Sequence, residues 1–169
     1  MKILVTGSNG LVGNAIHKLL TNSDHEHINT SWSLGGIASH VIDITDNESI
    51  EKVVEEFRPD AIINSAAMAN VDNCEVERDK CWKVNVEGVK NLVNTCDNYG
   101  IHLVHISTDY IFDGKKVDKF ILSRQFSIKS AYSSMLFALV GVEPPCPGRS
   151  IDRTLLKILG SSEIRSATL

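Results

Sequence analysis

The segment Thr6-Gly7-Ser8-Asn9-Gly10-Leu11-Val12-Gly13 constrains this chain most, because it joins two runs of different hydrophobic period. Residues 2–6 form an apolar run ended by Gly7, the pattern of a strand buried on both faces. After the turn, Leu11, Val12, Ala15, Ile16, Leu19 and Leu20 recur at helical spacing, with His17 and Lys18 placed outside. A glycine turn between a strand and a helix is the context that a dinucleotide fingerprint needs. The first glycine permits the tight turn, the second lets backbone approach phosphate oxygens, and the third lets helix and strand pack closely. The helix start then offers unpaired N–H groups and the positive end of its dipole to an anion. Gly7, Asn9, Gly10, Leu11, Val12 and Gly13 are therefore expected to line a pyrophosphate.

The same rhythm continues downstream. Strands are expected near His27–Trp32 and Val41–Ile42, and Thr45 or Asp46 is placed to cap a helix with Ile50, Val53, Val54 and Phe57 on its apolar face. Arg58-Pro59-Asp60 stops that helix, and Ala61–Asn64 reads as another buried strand. Asp72 is placed to cap a helix after it. A long helical stretch from about Arg78 to Asp97 carries Trp82, Val86, Val89, Leu92, Val93 and Cys96 on one side. Gly100 closes it before a strand at Ile101–Ile106. Strands alternating with helices across short turns imply right-handed crossovers. The expected fold is α/β: a Rossmann-type, doubly wound parallel sheet in three αβα layers.

The character changes after Lys116. Residues 1–116 carry 10 basic and 17 acidic side chains, whereas residues 117–169 carry 7 and 4. The second segment is serine-rich, and Glu143-Pro144-Pro145-Cys146-Pro147-Gly148 interrupts it. Two units are expected: a nucleotide-binding domain at 1–116 and a divergent or truncated tail at 117–169. The outer edge of the 101–106 strand needs a cover, and residues 117–142 are the source for a helix or strand there. The formal net charge of −4 argues against nucleic acid or an anionic membrane as partner. No apolar run reaches the roughly 18 residues of a membrane span, and the N-terminus reads as a strand and not as a signal peptide. Cys74, Cys81, Cys96 and Cys146 lack metal-ligand spacing and read as buried free thiols of a cytoplasmic protein, with no metal site.

The end of the second strand discriminates between nicotinamide cofactors. A carboxylate there would accept from the ribose 2′-hydroxyl and repel a 2′-phosphate. Asn29, Thr30, Ser31 and Trp32 include no acid, and Thr30 and Ser31 offer hydroxyls, which tilts the expectation toward NADP(H) over NAD(H) although no arginine stands there.

Five segments carry a family resemblance: Asp43-Ile44-Thr45-Asp46, Arg58-Pro59-Asp60-Ala61-Ile62-Ile63-Asn64-Ser65-Ala66-Ala67, Val71-Asp72-Asn73-Cys74-Glu75, Asn85-Val86-Glu87-Gly88 and His105-Ile106-Ser107-Thr108-Asp109-Tyr110-Ile111-Phe112-Asp113-Gly114. Over residues 1–116 the chain resembles the dTDP-4-dehydrorhamnose reductases of the extended short-chain dehydrogenase/reductase superfamily. The resemblance implies reduction of a dTDP-4-dehydro-6-deoxy sugar by NAD(P)H, on the route to rhamnose. It implies that Asp43 and Ile44 hold the adenine and that Ala66, Ala67, Met68 and Ala69 run beneath the nicotinamide ribose, with Ile106 also facing the cofactor. It further implies that Thr108 is the hydroxyl hydrogen-bonded to the substrate carbonyl, with Asp109 touching substrate beside it. A hydroxyl at a central strand end suits a ketone awaiting hydride.

The family's tyrosine, followed four residues later by a lysine, is not found. Tyr99, Tyr110 and Tyr132 are followed at that spacing by Leu103, Gly114 and Leu136. Since general acid catalysis contributes about 10²–10⁴-fold, negligible turnover is expected of these 169 residues. The abrupt end of the likeness fits a changed reading frame, an alternative transcript or a truncated chain. Two further readings stand beside the reductase. One is a non-catalytic dinucleotide-binding regulatory or scaffold subunit, as homodimer or with a larger partner, since the regulatory subunit of methionine adenosyltransferase also resembles these reductases. The other is a related sugar-nucleotide epimerase or dehydratase, against which the Ser107–Gly114 run speaks.

Overall fold

The computed structural model describes residues 1–106 and 135–137. Their strands are β1 (Lys2–Thr6), β2 (Glu26–Ser31), β3 (His40–Val41), β4 (Ala61–Asn64), β5 (His102–His105) and β6 (Met135–Phe137). They form one sheet in the order β3-β2-β1-β4-β5-β6, and every pairing is parallel. The helices are α1 (Leu11–Thr21), α2 (Asn47–Phe57), α3 (Val71–Val76), α4 (Arg78–Trp82) and α5 (Gly88–Tyr99), with a π-helical turn at Lys83–Glu87. The Rossmann-type expectation holds, and the cover for the edge of β5 is a strand: β6 pairs Leu103 with Met135 and His105 with Phe137.

Period-two alternation along the strands divides the core into two layers. On one face Ile3, Val5, Ala61, Ile63 and Val104 pack with Ile16 and Leu20 of α1. On the other, Leu4, Ile62 and Leu103 pack with Ile50, Val53 and Val54 of α2 and Val89, Leu92, Val93 and Cys96 of α5. Strands buried from both sides favour apolar side chains, which is why β1 and β4 read as apolar runs, each ending on a buried polar residue, Thr6 and Asn64.

Helix ends follow side-chain chemistry. Asp46 caps α2 by accepting from the Glu48 amide at 3.1 Å, and Arg58 ends it in a left-handed conformation at φ 51° ahead of Pro59. Asn70, and not Asp72, caps α3: its Oδ1 accepts from the Asn73 amide at 2.8 Å, while Asp72 lies inside the first turn. In each case the cap residue has extended backbone, and its side-chain oxygen accepts from an amide N–H two or three residues on.

Two side chains depart from the periodic reading. The 78–97 stretch is not one straight helix, because the π turn widens it and shifts the apolar stripe. Trp82, upstream of that turn, is consequently 59% exposed, and Val84 takes its place against the core. His17 is half-buried and not on the outer side, held by Asn29 Nδ2 at 2.9 Å and His27 Nε2 at 3.3 Å from its Nδ1.

Ile62 is fully buried at the centre of the sheet. Ile62→Ala is expected to cost about 2–5 kcal/mol, seen as a lower midpoint in urea unfolding with an unchanged slope. A change below 1 kcal/mol would contradict this packing.

Candidate functional site

The strand order reverses its direction of growth between β1 and β4, and a crevice opens beyond the carboxyl ends of the strands at such a point. Gly7 follows β1 there with φ +68°, and a Cβ on it would lie 2.6 Å from the Ala66 nitrogen and 2.7 Å from the Ser65 carbonyl carbon. A Cβ on Gly13 would meet the Gly7 oxygen and lie 2.6 Å from Ser8 Cα. Both neighbours are backbone, so neither can yield as a side-chain tip would. Gly10 is the N-cap of α1 and makes no side-chain cap bond. The amides of Leu11, Val12 and Gly13 thus begin a helix whose first N–H groups have no intrahelical acceptor.

Two hydroxyls and one amide brace this turn. Ser8 Oγ donates to the Val5 carbonyl at 2.9 Å and accepts from the Thr30 amide at 3.1 Å. Thr30 Oγ1 donates to the same carbonyl at 3.0 Å, and Asn9 Oδ1 accepts from the Ile37 and Ala38 amides at 3.1 and 3.3 Å. Thr30, read from the sequence as a hydroxyl offered to a phosphate, is instead fully buried and spends its hydroxyl on β1. Ser31 is likewise buried, and Asn9's side-chain oxygen secures the loop after β2. Trp32 is 81% exposed next to them.

Asp43 is exposed, and its Oδ1 accepts from Thr45 N and Oγ1 at 2.9 and 2.8 Å, which leaves its second oxygen outside that turn. Ile44 does not present its side chain to the crevice. It is buried against α5, where a Cβ on Gly88 would lie 2.7 Å from its Cγ1, and its carbonyl accepts from Asn91 Nδ2 at 3.1 Å. Beyond β4, Ala67 and Ala69 are exposed, and Ala66 and Met68 are half-buried. Ile106 packs on the α1-side core, its amide donating to the Asn64 carbonyl at 3.0 Å. Thr108 and Asp109 lie outside the described residues, as do Tyr110, Tyr132 and Cys146.

Three residues that sequence reasoning assigned no role organise the crevice. Asn64, fully buried, accepts from Thr6 Oγ1 at 2.5 Å and from the Ala66 amide at 3.1 Å, and its Nδ2 lies 3.0 Å from His105 Nδ1. It ties the ends of β1, β4 and β5 together. Burial pushes the His105 imidazole down to about 4, so the ring is neutral near pH 7. Asn85, on the π turn, clamps Met68 through both of its amide atoms: Met68 N donates to Oδ1 at 2.8 Å and Nδ2 donates to Met68 O at 3.0 Å. The only signal was its place in Asn85-Val86-Glu87-Gly88, where nothing local shows what it reaches.

These features define the class as a Rossmann-type α/β domain with a glycine-turn crevice at its switch point. The chain belongs to the RmlD substrate binding domain family, whose model matches residues 1–136. It is 33% identical over 119 residues to a dTDP-4-dehydrorhamnose reductase of Aggregatibacter actinomycetemcomitans, covering 70% of this chain and 38% of that protein. It is 28% identical over 113 residues to methionine adenosyltransferase 2 subunit beta of Rattus norvegicus, covering 67% of this chain and 34% of that one. Among solved structures, a dTDP-4-dehydrorhamnose reductase of Clostridium acetobutylicum superposes with TM-score 0.62 at 39% identity, over 70% of this chain and 40% of that one. The Bacillus anthracis reductase in complex with NADP gives 0.61 at 33%, over 69% and 39%. Thermus thermophilus UDP-glucose 4-epimerase complexed with NAD gives 0.59 at 27%, over 70% and 43%. The chain thus spans about two fifths of the length of the reductases it matches.

Among the described residues no helix is long and apolar enough to cross a membrane. Nor does any group of three His, Cys, Asp or Glu side chains there form a possible metal site.

Two outcomes follow from this geometry. Gly13→Ala is expected to destabilise the fold by about 1–3 kcal/mol because backbone must move, whereas Gly10→Ala, whose Cβ would meet only the Gly7 oxygen at 3.2 Å, costs less; urea unfolding of both ranks them. The His105 ring, lowered from an ordinary value near 6.5, binds fewer protons in the native than in the unfolded chain between pH 6.5 and 4. Stability present at pH 7 therefore falls on acidification through that window, by on the order of 3 kcal/mol once complete. His105→Gln should flatten this part of the pH profile of urea unfolding.

Proposed function

We propose that residues 1–116 bind NAD(P)H at the β1/β4 crevice and derive from a reductase of dTDP-4-dehydro-6-deoxy sugars, and that these 169 residues alone bind the cofactor without appreciable turnover. The observation that carries the reading is the pair Gly7 and Gly13, each pressed on backbone where a Cβ cannot stand, at the open amino end of α1. The fit to a dinucleotide is good on that ground: the close glycine packing brings the start of α1, whose first N–H groups have no intrahelical acceptor, to the carboxyl ends of β1 and β4. The amides of Leu11 to Gly13 would hold the pyrophosphate, Asp43 the adenine amine, and exposed Ala67 and Ala69 the nicotinamide ribose. When bound, the nicotinamide supplies the hydride. Thr108 would hydrogen-bond the sugar ketone and Asp109 would contact the sugar.

The missing acid end of β2 still favours NADP(H), because no carboxylate of residues 29–32 repels a 2′-phosphate. With Thr30 committed to Val5, the preference rests on that missing repulsion alone. A cytoplasmic location, and a homodimer or a larger partner subunit, belong to the same reading. The tyrosine–lysine pair that would protonate the developing alkoxide is not found at its spacing in the sequence.

Calorimetric titration with NADPH and NADH is the test, followed by a turnover assay with the dTDP-keto sugar. Saturable binding with tighter NADPH, together with turnover at least 10²-fold below a full-length relative, is the expected result. No binding of either nucleotide would overturn the reading, and turnover matching a relative's would overturn the catalytic part.

The likeness to methionine adenosyltransferase 2 subunit beta favours one second reading, a non-catalytic binding subunit of a larger assembly. Co-purification with a defined partner, alongside nucleotide binding without turnover, would distinguish it.

A further inference from the structure

Cys74 of α3 and Cys81 of α4 are seven residues apart, and their positions in a single straight helix would place them about 10.5 Å apart along the axis. A disulfide needs Cα atoms within about 7 Å. The break at Glu77, with φ −106° and ψ 55°, separates α3 from α4 and turns the two side chains toward one another. Their sulphurs lie 2.6 Å apart, about half an ångström beyond a covalent S–S bond. Both are free, half-buried thiols, whereas Cys96 is buried in the core.

The pair belongs to one hydrogen-bonded chain. Asn85 Nδ2 donates to Cys81 Sγ at 3.3 Å, Cys81 Sγ donates to Cys74 Sγ, and Cys74 Sγ donates to the Met68 carbonyl at 3.2 Å. Asn85 and Met68 are also joined directly through two amide bonds. The thiols therefore touch the segment after β4 that lines the crevice.

We propose that Cys74 and Cys81 form a dithiol that closes reversibly to an intramolecular disulfide by exchange with a small-molecule disulfide. Closure takes away the Cys74 S–H donated to Met68 and leaves that carbonyl to Asn85 alone. The exchange balances. The Cys81 thiolate, facing the Asn85 N–H donor, attacks one sulphur of glutathione disulfide, whose S–S bond breaks to release glutathione. Cys74 then gives up its proton and attacks Cys81 Sγ, breaking the mixed disulfide and releasing a second glutathione. The two cysteines lose two electrons, and the two glutathione sulphurs gain them and the two thiol protons. Cys74 is the resolving partner because its S–H is donated to the Met68 carbonyl, an acceptor that favours the protonated thiol, whereas Cys81 Sγ faces an N–H donor. This thiol chemistry does not depend on whether the crevice binds a nucleotide.

The experiment uses the full chain equilibrated in glutathione redox buffers, quenched with acid and alkylated. Trypsin cuts after Arg78, Lys80 and Lys83, so Cys81-Trp82-Lys83 separates from the peptide that ends at Arg78 and carries Cys74. The expected result is these two peptides joined by a disulfide, a fall from four titratable thiols to two, and full recovery with dithiothreitol. Cys74→Ser should abolish the linked peptide and trap a glutathione adduct on Cys81. Separate adducts on both cysteines in the unaltered chain, a link to Cys96, or an interchain link would overturn the proposal. In ¹⁵N-labelled protein the Ala69 amide, next to the Met68 carbonyl, should shift on closure, and an unmoved Ala69 resonance would overturn the coupling to Met68.

Discussion

The contact on which the rest depends is the one that excludes a side chain from Gly7 and Gly13. Gly7 rests on the Ser65–Ala66 backbone, and Gly13 rests on Gly7 and Ser8. That double approach brings the start of α1 down onto the ends of β1 and β4. It simultaneously sets the angle at which α1 covers Ile3, Val5 and Ile63, and the space left open above the strands. Core packing and crevice shape are therefore one constraint. A methyl group at either position displaces backbone on both sides.

Around this contact the polar atoms are shared among elements and not left over. Asn64 joins three strand ends, and Ser8 and Thr30 converge on one carbonyl of β1. A neutral His105 suits this arrangement, since desolvation disfavours the charged ring. On the other side, Asn85 replaces ladder bonds that Met68 cannot make after the strand has ended. The π turn is what swings Asn85 into reach, and the same widening turns Trp82 outward. One irregular turn thus accounts for a misplaced tryptophan and for a braced loop.

The family membership and the site are consistent with each other at different depths. The matched model reaches residue 136, and the reductases align over about 70% of this chain. The glycine turn belongs to the shared dinucleotide architecture, so likeness to an epimerase at TM-score 0.59 is expected from the same backbone requirement. What separates the members of such a group is the side chains over the crevice and not the sheet.

Much of this was legible in the amino-acid order because it rests on local rules. Period-two and period-3.6 patterning places β1, α1, α2, β4 and α5; Asp46 announces the start of α2; and glycines at 7, 10 and 13 announce a close backbone approach. The partner of a hydrogen bond is a different kind of fact. That Thr30 spends its hydroxyl on Val5, that Ile44 turns into the core against Gly88, and that Asn85 holds Met68 depend on residues 25, 44 and 17 positions away. The same holds for Cys74 and Cys81, which helical spacing keeps apart and a single break brings together. The sequence by itself determined the parallel layered architecture and the glycine turn, because period and Cβ sterics act within a few residues. Only the tertiary structure decided which polar groups face the crevice and which are consumed holding it open, because that choice is made by neighbours that meet only after the sheet has formed.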